Sequence, residues 1–333
     1  MATLGMAVLG CGRIGRLHAR NLARHPRARL ALVFDVAGEV AQQVATEIGV
    51  RSARTVDEVW DDRNVRAVVI ATPTDTHVPL MIAAVKAGKA VFCEKPIDMS
   101  LERARACWGE IAADNPSVMI GFNRRFDPSY RALRERLKLG EIGRLELAVI
   151  TSRDPAPPPA GYLQSSGGLF RDMTIHDFDM ARYLAGDIAR VHAFGANLVD
   201  AEIGRLGDID TCAITLRARS GALIQINNSR RCVYGYDQRL EAFGSGGMLQ
   251  AGNRHETSVA SWSAERTAGR DVVLHSFIER YAQAYEAEMD AFVAALADGR
   301  PMSPDFADGL EALRLAVAAG ESLRTGRAVD VSP

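Results

Sequence analysis

The chain has 333 residues, 47% of them hydrophobic, with 40 Lys and Arg against 41 Asp and Glu and a formal net charge of -1. That length suits two domains with well-filled cores, and the even scatter of charge offers neither a basic face for nucleic acid nor a polybasic segment for a membrane. Five cysteines, Cys11, Cys93, Cys107, Cys212 and Cys232, form no CxxC pair, which argues against a disulfide framework and a structural zinc site and fits a reducing cytoplasm.

The start, Met-Ala-Thr-Leu-Gly, enters a strand with no basic region or apolar signal core. No later stretch is long enough to span a bilayer, so a cytoplasmic location is expected. Leu4 to Leu9 reads as a strand, Gly10-Cys11-Gly12-Arg13-Ile14-Gly15 as a glycine turn, and the pattern through Leu22 as a helix that stops at Pro26. The first glycine allows the tight turn, the second lets backbone approach a pyrophosphate, and the third permits close helix packing, with the phosphates held at the helix N-terminus. A second apolar strand, Arg29 to Phe34, ends in Asp35, twenty residues after Gly15. A carboxylate there accepts both ribose hydroxyls of an adenosine and repels the extra phosphate of NADP. NAD is therefore the expected cofactor. Val36 follows where an NADP site often has a small polar or basic residue, although Arg13 is within reach of a phosphate.

Strand and helix patterns go on alternating to about residue 121. Helices are predicted near Glu39 to Ile48, from Thr55 with Glu58 as its capping partner, from Thr76 to Ala87 before Gly88, and from Ser100 to Ala113. Strands are predicted at Arg66 to Ile70, Ala90 to Cys93 and Ser117 to Gly121. This is a doubly wound parallel sheet, a Rossmann domain over residues 1-121. Thr72-Pro73-Thr-Asp-Thr-His77 follows the fourth strand, so Thr72, Pro73 and His77 are candidates near the nicotinamide ribose; His77 equally begins a helix. Cys93-Glu94-Lys95-Pro96-Ile97 lies just past the C-terminal end of a predicted strand, the edge where open α/β sheets bind ligands. Pro96 biases Lys95 to an extended conformation. Its ammonium can then donate to a substrate hydroxyl, with Glu94 beside it on the cofactor side.

Beyond residue 121 the rhythm changes. A helix starting at Asp127-Pro128 leads to a strand near Arg144 to Thr151 and a proline-rich loop, Pro155 to Pro159. Short alternating runs then dominate from about Ala189 to Ala260, implying a largely antiparallel open sheet. Two helices, Phe277 to Leu296 and Phe306 to Leu323, close a second α/β domain, residues 122-333. Trp60, Trp108 and Trp262 read as packing residues. Within this domain Asp172, His176 and Asp179 fall at i, i+4 and i+7, a spacing that projects all three from one face of a helix. A carboxylate one turn before an imidazole fixes its tautomer and leaves the other nitrogen to take a proton near neutral pH. Two carboxylates and an imidazole are also half a metal site. No second His or Cys cluster completes it, and hydride transfer to NAD needs no metal.

Taken together, Gly10 to Gly15, Cys93 to Ile97, Gly121-Phe-Asn-Arg-Arg-Phe126, Asp172 to Asp179 and Cys232-Val-Tyr-Gly-Tyr-Asp-Gln-Arg239 resemble the glucose-fructose oxidoreductase and inositol dehydrogenase superfamily over nearly the whole chain. The resemblance implies a homotetramer and a catalytic set that falls on Lys95, Asp172 and His176. It also implies substrate contacts from Asp179, from one of Arg124 or Arg125 (here Arg125), and from Tyr281. The expected reaction is NAD-dependent oxidation of a secondary hydroxyl of a cyclic polyol, with myo-inositol to its 2-ketone as the leading case in inositol catabolism. The segment Arg153 to Ser166 differs in composition from some inositol dehydrogenases. That leaves scyllo-inositol or a ring-form aldose as the alternative substrate, and a non-catalytic sugar sensor as the more distant one.

Overall fold

The computed structural model describes residues 3–331, and the chain divides into two units. The first holds the N-terminal residues to Asn123 together with Ala284–Leu313; the second holds Arg124–Gln283 and the residues from Arg314 onward. The sequence reading sets one boundary after residue 121 and draws both domains as continuous, whereas the first unit of the structure also takes in Ala284–Leu313. The chain in fact returns to the first unit through helical residues far along the sequence, and local periodicity carries no record of such a return.

In the first unit, β1 (Leu4–Leu9), α1 (Arg13–Arg24), β2 (Ala28–Phe34), α2 (Gly38–Ile48), β3 (Arg51–Ser52), α3 (Asp57–Asp61), β4 (Ala67–Ile70), α4 (His77–Lys86), β5 (Ala90–Cys93), α5 (Leu101–Ile111) and β6 (Val118–Ile120) follow in order. The sheet runs β3-β2-β1-β4-β5-β6 and every pairing is parallel. Ala67–Ile70 is fully buried, as expected of an apolar run with helices over both faces. The order reverses between β1 and β4, which makes the carboxyl ends of those strands the switch point where such sheets bind ligands. Ser100 caps α5 by accepting from the Arg103 amide. The expected Thr55 cap is not formed: α3 begins at Asp57 without a side-chain cap, because Glu58 instead accepts from the Arg54 amide and pairs with Arg51.

The second unit contains α6 (Pro128–Lys138), β7 (Leu145–Arg153), α7 (Ala160–Ser165), α8 (Leu169–Asp172), α9 (Thr174–Ala185), β8 (Ile188–Ala196), α10 (Ala201–Arg205), β9 (Thr211–Ala218), β10 (Leu223–Ser229), β11 (Asp237–Gly244) and β12 (Gly247–Ala251). After these come β13 (Ala260–Ser261), β14 (Gly269–Arg270), α11 (Phe277–Arg280), α12 (Ala282–Asp298), α13 (Phe306–Thr325) and β15 (Val329–Asp330), with α12 from Ala284 and α13 as far as Leu313 belonging to the first unit. The large sheet runs β12-β11-β7-β10-β9-β8-β15. It is antiparallel except for β7 and β10, which lie parallel. Alternation along β9, with Cys212, Ile214 and Leu216 buried between exposed neighbours, gives the sheet one inner face. Trp262, expected to pack, is 69% exposed next to β13; two-residue strands bury too little to cover an indole.

Candidate active site

In the first unit the glycine turn has the form the sequence requires. Gly10 sits at φ +90°, and a Cβ there would lie 2.5 Å from the Ala71 carbonyl oxygen. A Cβ on Gly15 would approach the Gly10 carbonyl oxygen to 1.8 Å, so only glycine lets α1 start this close to β1. Gly12 has nothing within 4 Å of where its Cβ would stand and is the uncapped N-cap of α1. The first amides of α1 thus lack a capping side chain, and the backbone around them is open, which suits a pyrophosphate. Arg13 is exposed and Ile14 half-buried on the first turn. Asp35 bridges the second strand to the turn: one carboxylate oxygen accepts from the Cys11 amide at 2.7 Å and the other from the Ala37 amide at 2.9 Å. This fixes the carboxylate beside the glycine turn, as a ribose-binding acid requires. Replacing Asp35 with serine is expected to lower the ratio of kcat/KM with NAD to that with NADP by about tenfold to a hundredfold, the worth of charge-assisted hydrogen bonds. An unchanged ratio in parallel assays with both dinucleotides removes Asp35 from the ribose role.

Lys95 follows β5 and is half-buried, and the next peptide, to Pro96, is cis. The Glu94 amide donates to the Ile70 carbonyl at 2.9 Å, carrying the sheet's pairing to the residue before the lysine. Thr72 and Pro73 leave β4 alongside, Thr72 half-buried and Pro73 exposed. His77, a candidate near the nicotinamide ribose or a helix start, begins a helix. It is the first residue of α4 and is buried, with Nδ1 at 2.8 Å from the Pro96 carbonyl and Nε2 at 2.9 Å from the Thr72 carbonyl. Burial pushes its pKa down. The ring lies between these two carbonyls, of which a neutral imidazole can donate to one at a time, and so sits against the ends of both strands. Cys93 is no nucleophile, since burial pushes its thiol well above the ordinary range.

In the second unit Asp172 and His176 do not share one uninterrupted helix. Asp172 ends α8, Met173 breaks the run with φ -102° and ψ -57°, and His176 lies in the first turn of α9. The Asp172 and Met173 amides still close i to i-4 bonds, to Gly168 and Leu169, but the His176 amide bonds to Met173 instead, so the ladder is broken at the junction. The Asp172 carboxylate is clamped. Arg230 donates Nη1 and Nη2 to Oδ2 at 3.1 Å each, and the Tyr162 hydroxyl donates to Oδ1 at 2.7 Å. His176 is half-buried. Asp154, just past β7, hydrogen-bonds by its amide to the Ser229 carbonyl, adjacent to Arg230. Its carboxyl is pushed up to about 6, first by burial, with Arg230 opposing and Asp172 adding to the rise.

Next to His176 lies a polar node the sequence reading missed. Asp177 is completely buried and accepts from Arg124 at 2.6 Å, Ser152 at 2.6 Å and Asn228 at 2.8 Å, while Thr174 donates to Asn228 at 2.6 Å. It joins α9 to β7 and β10. The adjacent Arg125 engages both oxygens of Asp179 through Nε and Nη2 at 2.6 to 3.1 Å and lies over the Tyr183 ring. Both residues of this pair are buried. Tyr281, also buried between α11 and α12, donates to Gln238 at 3.1 Å and stands under the Arg280 guanidinium. Arg125 and Asp179, expected to contact substrate hydroxyls, are thus buried and paired with each other, and Tyr281, expected to do the same, is buried against Gln238 and Arg280. An Asp at position i+1 of a histidine carries no signal of its own. Only the partners that the fold brings to Asp177 reveal its weight.

The family descriptions that match the chain are an oxidoreductase family with an NAD-binding Rossmann fold, over residues 4–122, and a GFO/IDH/MocA C-terminal domain, over residues 130–250. An inositol 2-dehydrogenase of Rhizobium meliloti is 43% identical, aligned over 99% of this chain and 100% of its own length. A myo-inositol 2-dehydrogenase of Thermotoga maritima is 44% identical, over 97% of each. The crystal structure of a myo-inositol dehydrogenase from Corynebacterium glutamicum superposes with a TM-score of 0.96 at 48% identity and covers 99% of both chains. The glycine turn with its bridging aspartate, the lysine at the end of β5 and full-length likeness of this order lead to one conclusion: the chain is an NAD-dependent dehydrogenase that belongs to the GFO/IDH/MocA oxidoreductase family.

Proposed function

We propose that the protein oxidises a ring hydroxyl of an inositol to a ketone, myo-inositol to 2-keto-myo-inositol, as a step of inositol catabolism in the cytoplasm. The observation that carries the reading is the clamped Asp172 at the α8 to α9 junction, followed by the half-buried His176. Bound NAD would supply the hydride acceptor. The residues to hold it are Gly10, Gly12, Arg13, Ile14, Gly15 and Asp35, with Thr72, Pro73 and Glu94 at the ends of β4 and β5 and His77 bracing them from behind. Lys95 donates a hydrogen bond to the reacting oxygen and stabilises the developing alkoxide. His176 takes the hydroxyl proton, and Asp172 stabilises the imidazolium that results. Arg125, Asp179 and Tyr281 shape the polyol side of the pocket. The names of the full-length relatives support the substrate class. NADH formation over a panel of myo-inositol, scyllo-inositol and ring-form sugars, with NAD and NADP in parallel, tests it. Turnover on an aldose alone overturns the inositol assignment, and no turnover on any member favours a sensor.

A homotetramer is part of the same proposal. On the outer face of the large sheet, Leu223, Leu147, Phe243 and Met248 fall in one register row across β10, β7, β11 and β12, and three of them are exposed. A contiguous apolar row on a sheet face is characteristic of a buried interface. Light scattering is expected to give four times the chain mass, and Phe243→Asp is expected to reduce it. A monomeric mass for the unsubstituted protein at micromolar concentration refutes the assembly.

A further inference from the structure

Lys95 is bracketed by two buried histidines. His77 holds the carbonyl of Pro96, on one side. On the other, His18 of α1 bonds through Nε2 to the Glu94 carboxylate at 2.6 Å. Gly121 leaves room for that carboxylate, since a Cβ there would lie 3.0 Å from Glu94 Oε2. A third group faces the pair. Glu288 of α12 is completely buried, both of its carboxyl oxygens lack a hydrogen-bond partner among the described residues, and a ligand atom from each of His18, Glu94 and Glu288 lies within 4.8 Å of the others. The His18 ring is fixed by edge contacts to Phe92 and Tyr285 at centroid distances of 5.2 and 5.9 Å.

The donor set is of the kind that holds a divalent cation, but the spacing speaks against one. Two ligands on a common ion at about 2.0 to 2.1 Å stand roughly 3 Å apart, whereas 2.6 Å is a direct hydrogen bond. Burial, and then the charge of Glu94, hold the Glu288 carboxyl well above the usual range. Two ionised carboxylates this close in a dry interior would repel strongly, which favours the neutral form of Glu288.

Resting on the reaction proposed above, we propose that His18, His77 and Glu288 are positioning residues that set Lys95. His18 holds Glu94 in place from one side, with the buried Glu288 carboxyl facing the pair within 4.8 Å, and His77 holds Pro96 from the other. None of the three acts on the substrate. A displacement of about 1 Å in a reacting group costs up to a hundredfold in rate, so loosening either neighbour of the lysine is felt in turnover more than in binding.

The test compares Glu288→Gln, which keeps the shape and neutrality of the acid, with Glu288→Leu, which keeps only bulk. Measurements on the full-length protein are kcat, KM for NAD, the deuterium isotope effect on kcat with C-deuterated inositol, and the acylation rate of Lys95 read by peptide mass spectrometry with Lys86 as internal control. The glutamine variant is expected to stay within about threefold of the parent in every readout. The leucine variant is expected to lose tenfold or more in kcat with KM for NAD within twofold, to show a larger isotope effect, and to change the Lys95 acylation rate at least threefold while that of Lys86 stays put. Unchanged kcat and acylation in the leucine variant overturns the proposal. So does a stoichiometric divalent cation in the parent, by elemental analysis, that the leucine variant lacks. Should the leucine variant not fold, Glu288→Met replaces it; loss of both while glutamine folds marks a packing unit only and refutes the positioning role. The acylation contrast needs no turnover, so an inactive parent counts against the substrate assignment without deciding this point.

Discussion

His176→Ala is expected to lower kcat by roughly a hundredfold to ten-thousandfold, the usual contribution of a general base, while the dissociation constant for NAD stays within about twofold. The reason for the split is positional. His176 stands on α9 of the second unit, and the glycine turn, Asp35 and the β4 and β5 ends that are proposed to hold the dinucleotide belong to the first. Removing the imidazole would take away the proposed proton acceptor, and none of the residues proposed to hold the dinucleotide is on α9. Steady-state assays with myo-inositol together with NADH fluorescence titrations separate the two quantities. Turnover equal to that of the parent sinks the base assignment. A parallel loss of NAD affinity shows that His176 belongs to the cofactor site instead. Asp172→Asn, which keeps shape but not charge, is expected to fall between the parent and His176→Ala, because Arg230 and Tyr162 still hold the side chain.

Much of the first unit was legible because its signals are local. The order strand, glycine turn, helix, strand, Asp35 needs only neighbours in sequence, and the structure places Cys11 and Asp35 in direct contact. Ser100 and Asp127 were found as helix starts for the same reason: each caps its own helix. What escaped was set by tertiary partners. The two-residue strands β3 and β15 are too short to carry a period and exist because β2 and β8 offer them an edge. The break at Met173 is invisible to a spacing rule, since i, i+4 and i+7 match a helix whether or not the ladder is intact. The parallel pairing of β7 with β10 joins strands some seventy residues apart, and no alternation pattern encodes direction. His77 was read as either a cofactor contact or a helix start; it begins α4, and its ring lies between the Pro96 and Thr72 carbonyls, which only the fold brings to it. Asp177 and Glu288 were passed over entirely. A carboxylate acquires meaning only through what the fold buries against it, and composition treats every acidic residue alike.

Asp177→Leu is expected to destabilise the second unit by about 3 to 5 kcal/mol, the usual cost of stripping one partner from a buried ion pair. The Arg124 guanidinium, itself buried, would lose its carboxylate, and Ser152 and Asn228 would each lose an acceptor in the same place. None of these groups is near enough to bulk water to recover its hydrogen bonds there, so the penalty is desolvation left without compensation. A midpoint of thermal unfolding lower by about 10 °C is the corresponding shift for a unit of this size. Arg124→Met combined with Asp177→Leu is expected to recover part of the loss, since it removes the stranded charge as well. A double variant no more stable than the single one refutes the pair as the source of the effect. A single variant within 1 kcal/mol of the parent refutes the node altogether. Because Asp177 ties the first turn of α9 to β7 and β10, the same substitution is also expected to lower kcat below the folding midpoint. It does so without removing any of the groups proposed to act on the hydroxyl.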